Sequence, residues 1–191
     1  MSYDPAGDLK LLDAMLASLD GYLRGSDLYG ATAPNLPRMT LGSLRFTLHR
    51  LEALPGLLST AQQSQVQAAR QEYERICNAW RVHYEEKLTR EKHARLRDLR
   101  NFVEELRQNP RRGADYLGLE LRHRSVLEHV RADARDLKLW DQEEETELNQ
   151  RDQQLRSYLN TNISEFQWDA DLAPAYPPEV FWWLHHPPAQ R

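Results

Sequence analysis

Glu120-Leu121-Arg122-His123 sets a carboxylate and an imidazole three residues apart. On a helix that spacing puts both on one face, the arrangement used in carboxylate-bridged di-iron bundles. Such a centre needs a second Glu-x-x-His and two further inward glutamates, and the chain carries no second copy. A histidine hydrogen-bonded within a helical hairpin accounts for His123 more simply. If the chain folds back on itself near Arg111, His93 comes close to Glu128 and His129, and imidazole with carboxylate suits zinc. The metal candidates are therefore His93, Glu120, His123, Glu128 and His129, with no motif spacing uniting them. His185-His186 reads as part of a tail or an adventitious metal binder. No glycine-rich phosphate loop, nucleophile elbow, zinc-protease motif or Cys-x-x-Cys occurs, and no cofactor is expected.

The remaining chemistry is charge. Arg107, Arg111, Arg112, Arg122 and Arg124 cluster around Asn109-Pro110-Arg111-Arg112-Gly113, where they would touch phosphates or engage a protein partner. Glu104, Glu105, Asp115 and Glu120 are interleaved, which fits a solvated helical face of i,i+4 pairs at least as well. Nucleic-acid affinity scales with the phosphates neutralised, so the interleaved acids weaken that reading. A net charge of -4 and a pI near 6.0 give no general attraction to nucleic acid or acidic membranes. The single Cys77 cannot close an intrachain disulfide, and within a helical pattern it reads as a buried thiol in a reducing compartment.

Helices must position these groups. Leu9, Leu12, Leu16, Leu19 and Leu23 predict a first helix over 8–24, stopped by Gly25-Ser26-Asp27. Thr40 caps a second helix carrying Leu41, Leu44, Leu48 and Leu51, which ends at Leu54-Pro55-Gly56. Ser59 with Gln62 offers a capping box for a third, whose seam is Val66, Ala69, Tyr73, Ile76 and Trp80, then Tyr84 and Leu88. The seam lapses over Thr89–Arg95, either a charged, exposed weak point or a break, and resumes at Leu96, Leu99, Val103 and Leu106. Asn109-Pro110 ends it, and Asp115 would cap a fourth helix with a seam of Leu119, His123, Leu127, Val130, Ala134 and Leu137. Folded back, the two patterns place Trp80 beside Trp140 and Ile76 near Leu148.

The predicted fold is all-α: a long antiparallel helical hairpin, 59–108 and 115–160, forms a coiled-coil-like arm, with two shorter N-terminal helices (8–54) packed on its base. An aromatic, proline-rich tail, 163–191, completes a single helical domain, 1–191. Phe166, Trp168, Tyr176, Phe181, Trp182 and Trp183 make the tail too aromatic for a solvated one. It either packs back on the base or presents Trp182 and Trp183 to a partner. Hydrophobic residues at 40% and a mean hydropathy of -0.77 suit such an arm.

Without a signal-peptide pattern over Met1–Asp8 or an apolar run long enough to span a bilayer, the expectation is a soluble, cytoplasmic protein with no membrane partner. It is expected to be a non-enzymatic interaction or scaffold protein, binding a protein partner or itself through the arm, where Phe102 and Leu106 would flank the seam, or through the tail. The alternatives are a nucleic-acid-binding arm using the arginine-rich tip, and a metal-dependent helical-bundle enzyme.

Overall fold

A computed structural model describes residues 3–162 and 168–185. Six α-helices account for most of it: α1 (Pro5–Arg24), α2 (Leu41–Ala53), α3 (Thr60–Ala79), α4 (Arg81–Gln108), α5 (Pro110–Asp136) and α6 (Gln142–Asn162). Short 3-10 turns lie at Pro55–Leu57, Ala170–Ala175 and Trp182–Leu184. Among the described residues no strand forms, and Gly30 and Met39 make one isolated antiparallel bridge. Phe166 and His186 lie outside the described residues. The chain divides into two compact units, Met1–Glu91 with Asp171–Ala175, and Lys92–Ala170 with Tyr176–Arg191. The division falls inside α4.

In the first unit, capping explains where helices begin. The Asp4 carboxylate accepts from Ala6 N, with Pro5 in the first turn, where its missing N–H costs nothing. Thr40 and Ser43 close a capping box on α2, and Ser59 and Gln62 close one on α3. Leu9, Leu12, Met15, Leu19 and Leu23 of α1 are buried, as are Leu41, Leu44, Leu48 and Leu51 of α2 and Val66, Ala69, Tyr73 and Ile76 of α3. Polar contacts give the directions. Gln65 bonds Asp13 and Trp80 bonds Asp20, so α1 and α3 run the same way. Arg50 pairs with Asp8 and Arg70 with Glu52, so α2 runs against both. Cys77 is buried in α3.

The first long helix of the sequence reading turns a corner at Trp80. There the backbone leaves helical geometry for one residue (φ -113°, ψ 39°). Tyr73 and Tyr84 then meet, hydroxyl to hydroxyl at 3.1 Å with ring centroids 6.4 Å apart. Eleven residues of straight helix would separate them by about 16 Å. Trp80 is held at the corner by donating from Nε1 to Asp20 at 2.6 Å, with the Arg24 guanidinium over its ring.

Thr89–Arg95 is neither a break nor an exposed gap, because α4 runs through it with Glu91, Lys92 and Ala94 buried. Glu91 accepts from Gly42 N at the amino end of α2, where a helix favours negative charge. One turn earlier, buried Lys87 donates to the Asp27 carbonyl and lies 4.3 Å from the Tyr22 ring centroid. Burial, then the nearby Arg90 charge, depress the Lys87 ammonium below its ordinary range.

The second unit is an up-down-up bundle of the distal part of α4, α5 and α6. Only Asn109 separates α4 from α5, because Pro110 starts the next helix instead of delaying it. Asp115 is therefore inside α5 and not its cap. The hairpin is tight enough that a Cβ on Gly113 would lie 2.4 Å from Leu106 Cδ2. Arg124–Asp152 and Arg131–Glu145 set α6 antiparallel to α5, while Lys92–Glu144 and Arg100–Glu147 set it parallel to α4.

The second long helix is also two. At its break Leu139 N donates to Ala134 O and Lys138 N to Arg135 O, the bond pair of a Schellman cap, with Lys138 in the left-handed region at φ 58°. Asp141 and Glu144 then close a reciprocal capping box on α6. Trp140 donates to Glu145 inside this unit, and Trp80 to Asp20 inside the other. The buried side of early α5 is Leu117, Leu121 and Arg124, which leaves Leu119 and His123 off the seam. Phe102 and Leu106, expected as exposed flanks, are buried.

Candidate functional site

Arg124 is not a tip contact. Its side chain is 3% exposed, bidentate to Asp152 at 2.9 and 2.8 Å, and bonded to Glu128 at 3.0 Å. The guanidinium lies 4.0 Å from the Trp183 ring centroid. Burial alone would depress the Arg124 guanidinium, but hydrogen bonds and charge from Asp152, then Glu128, more than offset it and hold its pKa above the ordinary value. A helical arginine that reads as solvated in sequence is thus the centre of a buried ionic cluster. Arg131 extends it by bridging Glu128 and Glu145.

The tail closes over this cluster. Trp183 is fully buried and donates from Nε1 to Ser125 Oγ at 3.0 Å, which in turn donates to Leu121 O. Trp182 is half-buried with Arg156 over its ring at 4.1 Å. Trp168, Tyr176, Phe181 and Trp183 form a chain of edge-on aromatic contacts, and His129 packs on Phe181. Trp183, named with Trp182 as a docking anchor should the tail present itself to a partner, is seated at zero exposure in this structure.

The metal candidates are not drawn together. His93 faces Glu144 at 3.1 Å, Glu128 serves Arg124 and Arg131, and His129 meets Phe181. Glu120 and His123 do share a face, Oε2 to Nδ1 at 3.3 Å, on the surface and by themselves. Among the described residues no group of three or more His, Cys, Asp or Glu is arranged to hold a metal ion.

Around the α4–α5 turn, Arg107 is exposed and bidentate to Glu104, and its hydrogen bonds, then that of Gln108, pull the Glu104 carboxyl to about 2. Arg112 lies 3.7 Å from Glu105, and Arg111 and Arg122 are exposed. A groove of about 370 Å³ opens between α4 and α6, walled by Val103, Leu106, Pro110 and Tyr158, with Arg107 at its rim. The Tyr158 hydroxyl donates to Pro110 O at 2.8 Å across its floor.

Sequence reasoning missed Tyr116 and Leu119 as surface residues. They are 53% and 50% exposed, flanked by exposed Arg112, Asp115, Arg122 and His123 on one face of α5. Leu119, His123 and Leu127 share the spacing of a buried seam, and Leu117, Leu121 and Arg124 share it equally. The fold turns the second stripe inward, with Leu117 and Leu121 buried and Arg124 against Asp152.

The fold and this surface define an all-α protein with a mixed apolar and charged helical face. No protein-family model, curated protein or solved structure matches the chain. Among the described residues, no helix is long and apolar enough to cross a membrane.

Proposed function

We propose that the chain is a non-enzymatic helical interaction protein whose exposed α5 face, beside the α4–α5 turn, docks a protein partner. The supporting observation is the pair Tyr116 and Leu119, neighbouring large apolar side chains half in solvent on one helix face and rimmed by both signs of charge. An aromatic and an aliphatic anchor within a polar rim is the composition of an interface core. The nucleic-acid alternative loses support with Arg124 withdrawn into the core and Arg107 and Arg112 each facing a glutamate.

Affinity capture from native lysate tests the reading. Tyr116→Ser with Leu119→Ser is expected to lose specific partners that Leu57→Ser, an exposed apolar control in the first unit, retains. Equal capture by all three proteins would remove α5 as the docking face.

A further inference from the structure

The α5 face has an internal symmetry that selects its occupant. At about 100° per residue, Asp115 and Arg122 lie on one flank of a line through Leu119, while Tyr116 and His123 lie on the other. Each flank thus carries one residue a turn before Leu119 and one a turn after it. When two such helices pack antiparallel about a two-fold axis at Leu119, like flanks face each other and the turn before meets the turn after. Asp115 then meets Arg122 of the second copy, Tyr116 meets His123, and Leu119 meets Leu119, with each flanking pair occurring twice. A parallel two-fold arrangement would bring unlike flanks together, setting Asp115 against Tyr116 and Arg122 against His123, and would leave the Asp115–Arg122 charge pair unmade.

We infer that the occupant of this face is a second copy of the chain, joined as an isologous antiparallel α5–α5 dimer. The inference rests on the proposed docking role of the face and names its partner. Asp115, Tyr116, Leu119, Arg122 and His123 are all exposed, so the contact needs no unfolding. A contact of one helix on another over three turns lies below the roughly 1,200 Å² of a standard stable interface, so the dimer is weak and concentration-dependent.

Sedimentation equilibrium on the full chain, from micromolar to near-millimolar, reads the outcome directly. Wild type is expected to pass from monomer to dimer, and Leu119→Arg to remain monomeric with an unchanged circular dichroism spectrum and melt. Asp115→Lys and Arg122→Glu each place like charges across the axis twice and weaken dimerisation about tenfold or more. Mixed in equal amounts, these two variants form a heterodimer. The introduced lysine of one chain then opposes the introduced glutamate of the other, and the remaining native pair, Arg122 with Asp115, is kept. Monomeric wild type at every concentration overturns the dimer. So does a dimer indifferent to Leu119→Arg, or a mixture that fails to recover association. Loss of the dimer with partner capture still dependent on Tyr116 and Leu119 overturns this inference alone. Capture indifferent to those residues overturns the docking reading itself.

Discussion

Arg124 shows how far a charged side chain can depart from its sequence-level reading. Its two carboxylate partners are themselves nearly buried, so Arg124→Met takes the bidentate partner from Asp152 and leaves Glu128 to Arg131. That substitution is expected to cost about 3–5 kcal/mol in urea unfolding. Trp183→Ala removes the ring that covers the guanidinium and is expected to cost about 3–5 kcal/mol. Glu145 carries the pH dependence of the neighbouring pair. Hydrogen bonds from Arg131, opposed in part by burial and aided by Arg131's charge, hold its carboxyl below the ordinary 4.5. A carboxyl whose folded pKa lies below its unfolded value stabilises fully above the unfolded value, and loses that contribution as the pH falls through the folded one. Stability is therefore expected to drop as the pH is lowered past 4.5, and Glu145→Gln to flatten that part of the profile. A profile unchanged by Glu145→Gln would show that the Arg131 pair adds nothing to it.

At the scale of elements, the chain announces its starts better than its bends. Thr40, Ser59 with Gln62, and Asn109-Pro110 mark helix ends by side-chain chemistry local to each site. The corner at Trp80 has no glycine or proline near it; it depends on Asp20, sixty residues away. Lys138 hides its break for a different reason, since a lysine stands where a Schellman cap favours glycine. Asp141 and Glu144 did signal the helix that follows, a capping-box pattern masked by the acidic run around it. Lys138→Gly relieves the left-handed strain and is expected to add about 1 kcal/mol, measured by denaturant midpoint. Gly113→Ala acts the other way despite alanine's helix propensity, because its methyl meets Leu106 across the hairpin. Its expected signature is a lower melting temperature, partly restored by Leu106→Ala. The α5 face was illegible for a physical reason: two leucine stripes with a helical period compete, and the partners that hold the inner one, Asp152 and Trp183, lie 28 residues from Arg124 and 58 from Ser125.

At the scale of the molecule, the residue order does not follow the two units. Residues 171–175 belong with the first 91, whereas the segments before and after them belong with the second unit. His49 Nε2 lies 2.6 Å from Ala175 O, and Trp183 bonds Ser125, so a few tail residues complete both units. Removing residues 171–191 is expected to lower amide-exchange protection in α2 and in α5 together. Loss in only one helix would show that the tail supports one unit alone.

The His49–Ala175 contact also bears on synthesis. It joins residues 126 positions apart, so the first unit, although begun before the second on the ribosome, remains incomplete until Ala175 has emerged. Folding of the first unit then includes a late fastening step, and such long-range closure slows folding relative to local helix formation. A nascent chain halted before Asp171 is expected to hold α1–α3 with His49 uncovered.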